Sequence, residues 1–112
     1  MTCSPGDLVL IPFPFSDLPA SKRRPVLVLT TPDRHGDFIA LAVTSVEQLD
    51  IALEINAAAI AAGALPRRSW VRLDKLFTLG EGNVIKSFGA VKSEFFDSVL
   101  DGLCKRVGYS KS

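Results

Sequence analysis

The sequence predicts a mainly β chain with helices, an α+β domain built as a small curled sheet or barrel with a C-terminal amphipathic helix. Three observations predict it. Five or six short apolar runs recur between turn-forming clusters. Only the closing segment carries a sustained helical apolar period. The chain has 112 residues, 47% of them apolar, which suits a single domain over 1–112 with its own core and no disulfide framework.

The elements follow in order. Pro5-Gly6-Asp7 is a turn, and Leu8 to Ile11 is the first strand. Pro12 and Pro14 end ordinary pairing there, so this strand is expected to finish at an edge. Ser16 to Arg24 is polar and turn-prone, the loop before a second strand from Pro25 to Thr30. Pro32 to Asp37 is a turn cluster. Phe38 to Val43 is a third apolar strand that becomes polar at Thr44-Ser45, and Ile51 to Ile55 alternates as a half-buried fourth. Asn56 caps a short alanine-rich turn, Ala57 to Ala62, ended by Gly63. Ser69 to Leu76 alternates as a strand, Val71 and Leu73 on one face and Arg72 with Asp74 on the other. Gly80 to Asn83 turns, and Val84 to Phe88 is a further short strand.

The tail is the clearest helix. Ser93 is its expected N-cap, and Phe95, Phe96, Val99, Leu100, Leu103, Cys104 and Val107 recur at helical spacing. Glu94, Asp97 and Asp101 come early, Lys105 and Arg106 late, and Gly108 closes it, an order that suits the helix dipole. Cys104 on the apolar face reads as a buried core residue and Cys3 as an incidental thiol in a polar leader, in a reducing compartment.

Net charge is only +1, so any polyanion site has to be a local patch. Two separated cysteines and one histidine make a poor metal-ligand set, and no cofactor or metal is expected. No apolar run reaches the ~18 residues of a membrane span, and no basic leader or signal-type core precedes the first strand, so the expected location is cytoplasmic with no membrane contact. His35, the sole histidine, sits in a turn and reads as solvated. Phosphate-loop and nucleophile-elbow strings are absent from the sequence.

What remains are cations and hydroxyls at strand ends. Lys22-Arg23-Arg24 stand at the entrance of the apolar run Val26-Leu27-Val28-Leu29. If strands two and three form an antiparallel hairpin, Arg24 comes beside Thr44. A guanidinium fork matches phosphate oxygens and a hydroxyl donates to the same group, which suits a pentacoordinate phosphorus transition state. Each residue also has a plainer reading. Arg24 and the Arg67-Arg68 pair read as solvated loop cations, Thr44-Ser45 as strand-end polarity, and Arg72 with Asp74 as a surface ion pair. Spacing alone leaves function open.

Gly6-Asp7-Leu8-Val9-Leu10-Ile11-Pro12-Phe13-Pro14-Phe15-Ser16-Asp17, with Lys22-Arg23-Arg24-Pro25-Val26-Leu27-Val28-Leu29, Leu41-Ala42-Val43-Thr44-Ser45 and Ser69-Trp70-Val71-Arg72-Leu73-Asp74-Lys75-Leu76, resembles the MazF/PemK toxins of type II toxin–antitoxin systems. The resemblance implies an SH3-like, PemK-like barrel, a homodimer, a cognate antitoxin, and metal-independent, sequence-selective cleavage of single-stranded RNA by 2′-OH attack. That reaction gives a 2′,3′-cyclic phosphate and a free 5′-OH. Carried over residue by residue, the family's Arg before Pro is Arg24 and its hydroxyl after the third strand is Thr44, with Ser45 adjacent. Its Arg-x-Asp is Arg72 and Asp74. Lys22, Arg23, Arg67 and Arg68 are then expected to track RNA phosphates.

Two departures stand out. Some members carry a histidine in the loop after the first strand, where this chain has Phe15-Ser16-Asp17, so Asp17, Asp74 or Arg24 has to move the proton. Ala20-Ser21-Lys22-Arg23-Arg24-Pro25 also replaces a Ser-Glu-Gln-x-Gly-x-Arg-Pro loop. The rival reading is a small barrel that holds RNA or a peptide without cutting it.

Overall fold

A computed structural model of the chain describes residues 2–12, 23–47 and 50–109. Its strands are β1 (Asp7–Pro12), β2 (Arg23–Val28), β3 (Asp37–Thr44), β4 (Ala52–Ile55), β5 (Ile60–Gly63), β6 (Ser69–Gly80) and β7 (Lys86–Val91), followed by the helix α1 (Ser93–Arg106). They form one antiparallel sheet in the order β4-β6-β3-β2-β1-β7-β5, a curled half-barrel whose two edges, β4 and β5, are joined through a 3₁₀ turn at Ala57–Ala59.

Register explains the core. Leu8 pairs with Leu27 and Leu27 with Leu41, so three leucines line up across β1, β2 and β3 on one face. Val71 of β6 and Val99 of α1 complete that cluster. The alternate positions, Val9, Val26 and Val28, face the other way and pack with Phe38, Leu79 and Cys3. The central strands are thus buried on both faces, which is why β2 reads as an unbroken apolar run rather than an alternating one.

Several expectations change. The second strand begins at Arg23 rather than Pro25, so both arginines are strand residues with register partners, Pro12 for Arg23 and Ile11 for Arg24. β1 is an interior strand, flanked by β2 and β7. Its β7 ladder covers Asp7 to Leu10, while Ile11 and Pro12 pair with β2 alone. Asn56 caps as expected, its side chain accepting from the Ala59 amide. The alanines beyond Ala59, however, form the strand β5, because pairing with Val91, Ala90 and Gly89 of β7 overrides their helix propensity. The Val84–Phe88 strand is displaced to Lys86–Val91.

In α1, Ser93 is the first helical residue and Lys92 the cap, with no side-chain bond to the helix start. Gly108 (φ 86°) ends it as placed: its amide reaches the Lys105 carbonyl and the Tyr109 amide the Cys104 carbonyl, a Schellman closure. The cysteines are reversed. Cys3 is 1% exposed in the second cluster and Cys104 is exposed. The apolar stripe of α1 buries only along its Phe95, Phe96, Val99 and Leu103 line, leaving Cys104 at its margin. No helix among the described residues is long and apolar enough to cross a membrane.

Candidate functional site

The site grows from the ends of β2 and β3. Val26 pairs with Ala42 and Val28 with Ala40. The paired ladder ends at Val26 and Ala42; continued for two residues, that register would set Arg24 opposite Thr44 on the face that carries Val26 and Ala42. The β2–β3 hairpin thus brings both strand ends to one cleft, which Arg24 and Thr44 line. Both residues are half-buried. Thr44 Oγ1 accepts from the Val46 amide at 3.1 Å, which fixes the side chain and leaves its proton free to donate outward.

A cleft of about 550 Å³ opens at this end of the sheet, lined by Arg23, Arg24, Thr44, Ser45 and Arg67 among others. Five of the predicted site residues therefore come together. Among the described residues none of the three arginines here has a carboxylate partner. A chain of net charge +1 has three arginines around one cleft, unpaired with carboxylates among the described residues. Asp17 and Lys22, the other two expected on this side, lie outside the described residues.

Arg68 departs from its expected role. Its guanidinium grips both oxygens of Glu54, lies 3.8 Å from Glu47 and covers the Trp70 ring at 4.9 Å. Its hydrogen bond holds the Glu54 carboxyl below its usual range, and the same bond pushes the Arg68 guanidinium up. This cation is already neutralised.

Arg72 and Asp74 line neither the cleft nor its rim. Leu41 pairs with Leu76 and Val43 with Val71, so residues 72–75 bow out of the β3 ladder in a wide bulge. Across that bulge Arg72 Nε donates to Asp74 Oδ1 at 3.0 Å and Nη2 to Oδ2 at 2.6 Å. The guanidinium hydrogen bonds hold the Asp74 carboxyl below the usual carboxylate range, against the opposing effect of burial. A carboxylate so held is a weak proton acceptor.

The cleft also contains residues that the sequence does not single out: Leu65 and Pro66 on one side, Leu10 and Phe88 on the other. Leu65 and Pro66 precede Arg67 and read in the sequence only as a lead-out. Phe88 reads in the sequence only as the end of a short strand.

A curled antiparallel half-barrel with an arginine- and hydroxyl-bearing cleft at the β2–β3 end defines the class: a small β protein with a cationic cleft at one end of its sheet. Residues 4–107 match the PemK-like, MazF-like toxins of type II toxin–antitoxin systems, and the chain belongs to that family. Solved structures share the fold at low identity. MazF in a MazE–MazF crystal structure from Deinococcus radiodurans superposes with a TM-score of 0.76 at 21% identity, covering 98% of this chain and 99% of that one. An endoribonuclease in complex with its cognate antitoxin from a mycobacterial species gives 0.73 at 16%, covering 98% and 97%. The Mycobacterium tuberculosis toxin MazF-mt6 gives 0.71 at 16%, covering 94% and 99%. Among curated proteins none matches the sequence.

Proposed function

We propose that this chain is an endoribonuclease toxin that cleaves single-stranded RNA within the Arg24–Thr44 cleft. Family membership over residues 4–107 supports the class. The observation that supports the site is the cleft at the β2–β3 end of the sheet, which Arg24 and Thr44 both line with Arg23 and Arg67.

The reaction is an internal phosphoryl transfer. The ribose 2′ oxygen attacks the adjacent phosphorus and the 5′ oxygen leaves, so one proton departs the 2′-OH and one arrives on the 5′ oxygen. The products are a 2′,3′-cyclic phosphate and a 5′-OH. Negative charge accumulates on the equatorial oxygens at the transition state. The Arg24 guanidinium meets that charge with a planar fork, and the Thr44 hydroxyl, held through Val46, donates to a second oxygen. Arg23 and Arg67 hold the flanking phosphates. Nothing in this scheme calls for a metal. Asp74, held by Arg72, is disfavoured as the base, and the pair acts as a clip across the β6 bulge.

The biological reading follows the family: a homodimer neutralised by an antitoxin. The solved MazE–MazF complex from Deinococcus radiodurans and the mycobacterial endoribonuclease–antitoxin complex are the precedents. The test is incubation of pure protein with mixed-sequence RNA in EDTA, with both new ends mapped. Cyclic-phosphate and 5′-OH termini are expected, with Arg24→Ala and Thr44→Val each lowering kcat by about 10²–10³-fold. Intact RNA that nonetheless binds would overturn cleavage in favour of a non-catalytic RNA-binding module. Undiminished cleavage by Arg24→Ala would overturn the site.

A further inference from the structure

The strand β7 carries an irregularity at one residue. Leu10 pairs with Lys86 and Val9 with Ser87, a register that would set Phe88 against Leu8 in the core. Instead Leu8 pairs with Gly89, and Phe88 is left without a partner on β1. Gly89 takes a φ of 133°, a backbone conformation that a side chain would disfavour, and so absorbs the extra residue. The ring is half-buried, packed on the core cluster that contains Leu8 and also lining the cleft.

Its surroundings have a definite chemistry. Lys86, one strand repeat away on the same face, sets its ammonium 4.9 Å from the Phe88 ring centroid. Leu10 links Phe88's strand to the arginine strand, since it pairs with Lys86 on one side and Pro25 on the other. Strands lie about 4.8 Å apart, so β7 stands roughly 10 Å from β2 across that row. Phe88 and Arg24 both line the one cleft. Beside Phe88 the lining is apolar, Leu65 and Pro66, where the Ala64 amide donates to the Phe88 carbonyl at 3.0 Å.

We propose that Phe88 is a base-stacking platform for the RNA substrate. One unstacked base next to the cleaved phosphate lies on the Phe88 ring with Leu65 and Pro66 extending the apolar surface beside it, while Lys86 turns from the ring to a neighbouring phosphate. An aromatic face accepts any base and a cation beside it accepts the backbone, the combination single-stranded nucleic acid uses. The proposal rests on the RNA reading above and adds a binding residue that takes no part in the bond changes.

Two measurements test it. In the first, Phe88→Leu and Phe88→Tyr are compared with the wild type for cleavage of mixed-sequence RNA. Loss of stacking at ~1–3 kcal/mol predicts that Phe88→Leu raises KM about tenfold, with kcat within twofold, and that Phe88→Tyr restores the wild-type KM. An unchanged KM for Phe88→Leu would overturn the proposal while leaving cleavage intact. In the second, F88W is titrated with mixed-sequence 2′-O-methyl RNA, which binds without reacting. The new indole's emission is expected to fall in step with binding measured by filter retention. Binding without that quench overturns the platform whether or not the wild type cleaves. The second arm also decides the matter if Phe88→Leu fails to fold. Failure of the wild type to cut, with the quench intact, would refute the nuclease reading and leave the platform standing.

Discussion

Arg72 and Asp74, two residues apart on β6, are joined by a pair of parallel hydrogen bonds across the bulge where β6 parts from β3. Their side chains keep only 25% and 19% of their exposure, so solvent screens the pair less than an open surface pair. Arg72→Ala is expected to cost about 1–2 kcal/mol of stability at neutral pH, read by urea denaturation, while lowering kcat far less than Arg24→Ala. The folded-state Asp74 carboxyl is depressed by Arg72, so its contribution is fully present above the unfolded carboxylate pKa of about 3.9 and disappears as pH falls through the lower folded value. The gap between wild type and Arg72→Ala therefore closes in strong acid. A gap that persists there, or an Arg72→Ala enzyme as inert as Arg24→Ala, contradicts the clip.

The neighbouring cations Arg67 and Arg68 should behave differently. Arg67 lines the cleft without a carboxylate partner among the described residues, and Arg68 is bound to Glu54. For single-stranded RNA, each phosphate that a cation neutralises adds about 0.7 to the steepness of log K against log salt. Arg67→Ala is expected to make the dependence shallower by that amount and Arg68→Ala to leave it unchanged. Equal slopes for the two variants would remove Arg67 from the RNA path.

The crossing of β5 and β7 depends on two glycines. A Cβ built on Gly63 would lie 1.9 Å from the Phe88 carbonyl oxygen, and one on Gly89 1.9 Å from that of Ala62. Both also have positive φ, 76° and 133°. Alanine at either position is expected to destabilise by about 2 kcal/mol or more, because backbone rather than a movable side chain blocks it. Thermal unfolding of Gly63→Ala within a degree of wild type would contradict this packing. Gly82, with nothing within 4 Å of an added Cβ, is the control that should tolerate alanine.

The thiols supply a check on the reversed cysteines. Burial pushes the Cys3 thiol up, with the Glu81 and Asp7 carboxylates adding to it, while Cys104 is exposed. Iodoacetamide on the native protein is expected to modify Cys104 alone, and Cys3 only after denaturation. Rapid labelling of Cys3 would place the leader elsewhere.

Much of the fold, and the gathering of Arg23, Arg24, Thr44, Ser45 and Arg67 at one cleft, are legible in the residues themselves, for identifiable reasons. Leu8 to Ile11 and Val26 to Leu29 announce buried strands by composition, and α1 by its period and its closing Gly108. Arg24 and Thr44 can be placed at one end of the sheet because a hairpin register is arithmetic once two strands are fixed. Phe88 and the β5 strand are not legible, because each depends on a partner distant in sequence. Ala61 and Ala62 favour helix locally and become strand only against β7, and Phe88 lines the cleft beside a bulge opposite Leu8 and Val9. The misplacing of Cys3 has the same origin. A polar leader looks solvated until Val9, Val28 and Phe38 close over it.

The placement of β1 between β2 and β7 has a consequence in time. Leu10 comes from the beginning of the chain and Phe88 from near its end, yet both line one cleft. Closing so long a loop makes the β1–β7 ladder among the costlier pairings to form. The cleft is therefore completed late in folding, after the local β2–β3 hairpin, because one part of its lining comes only with the β1–β7 ladder.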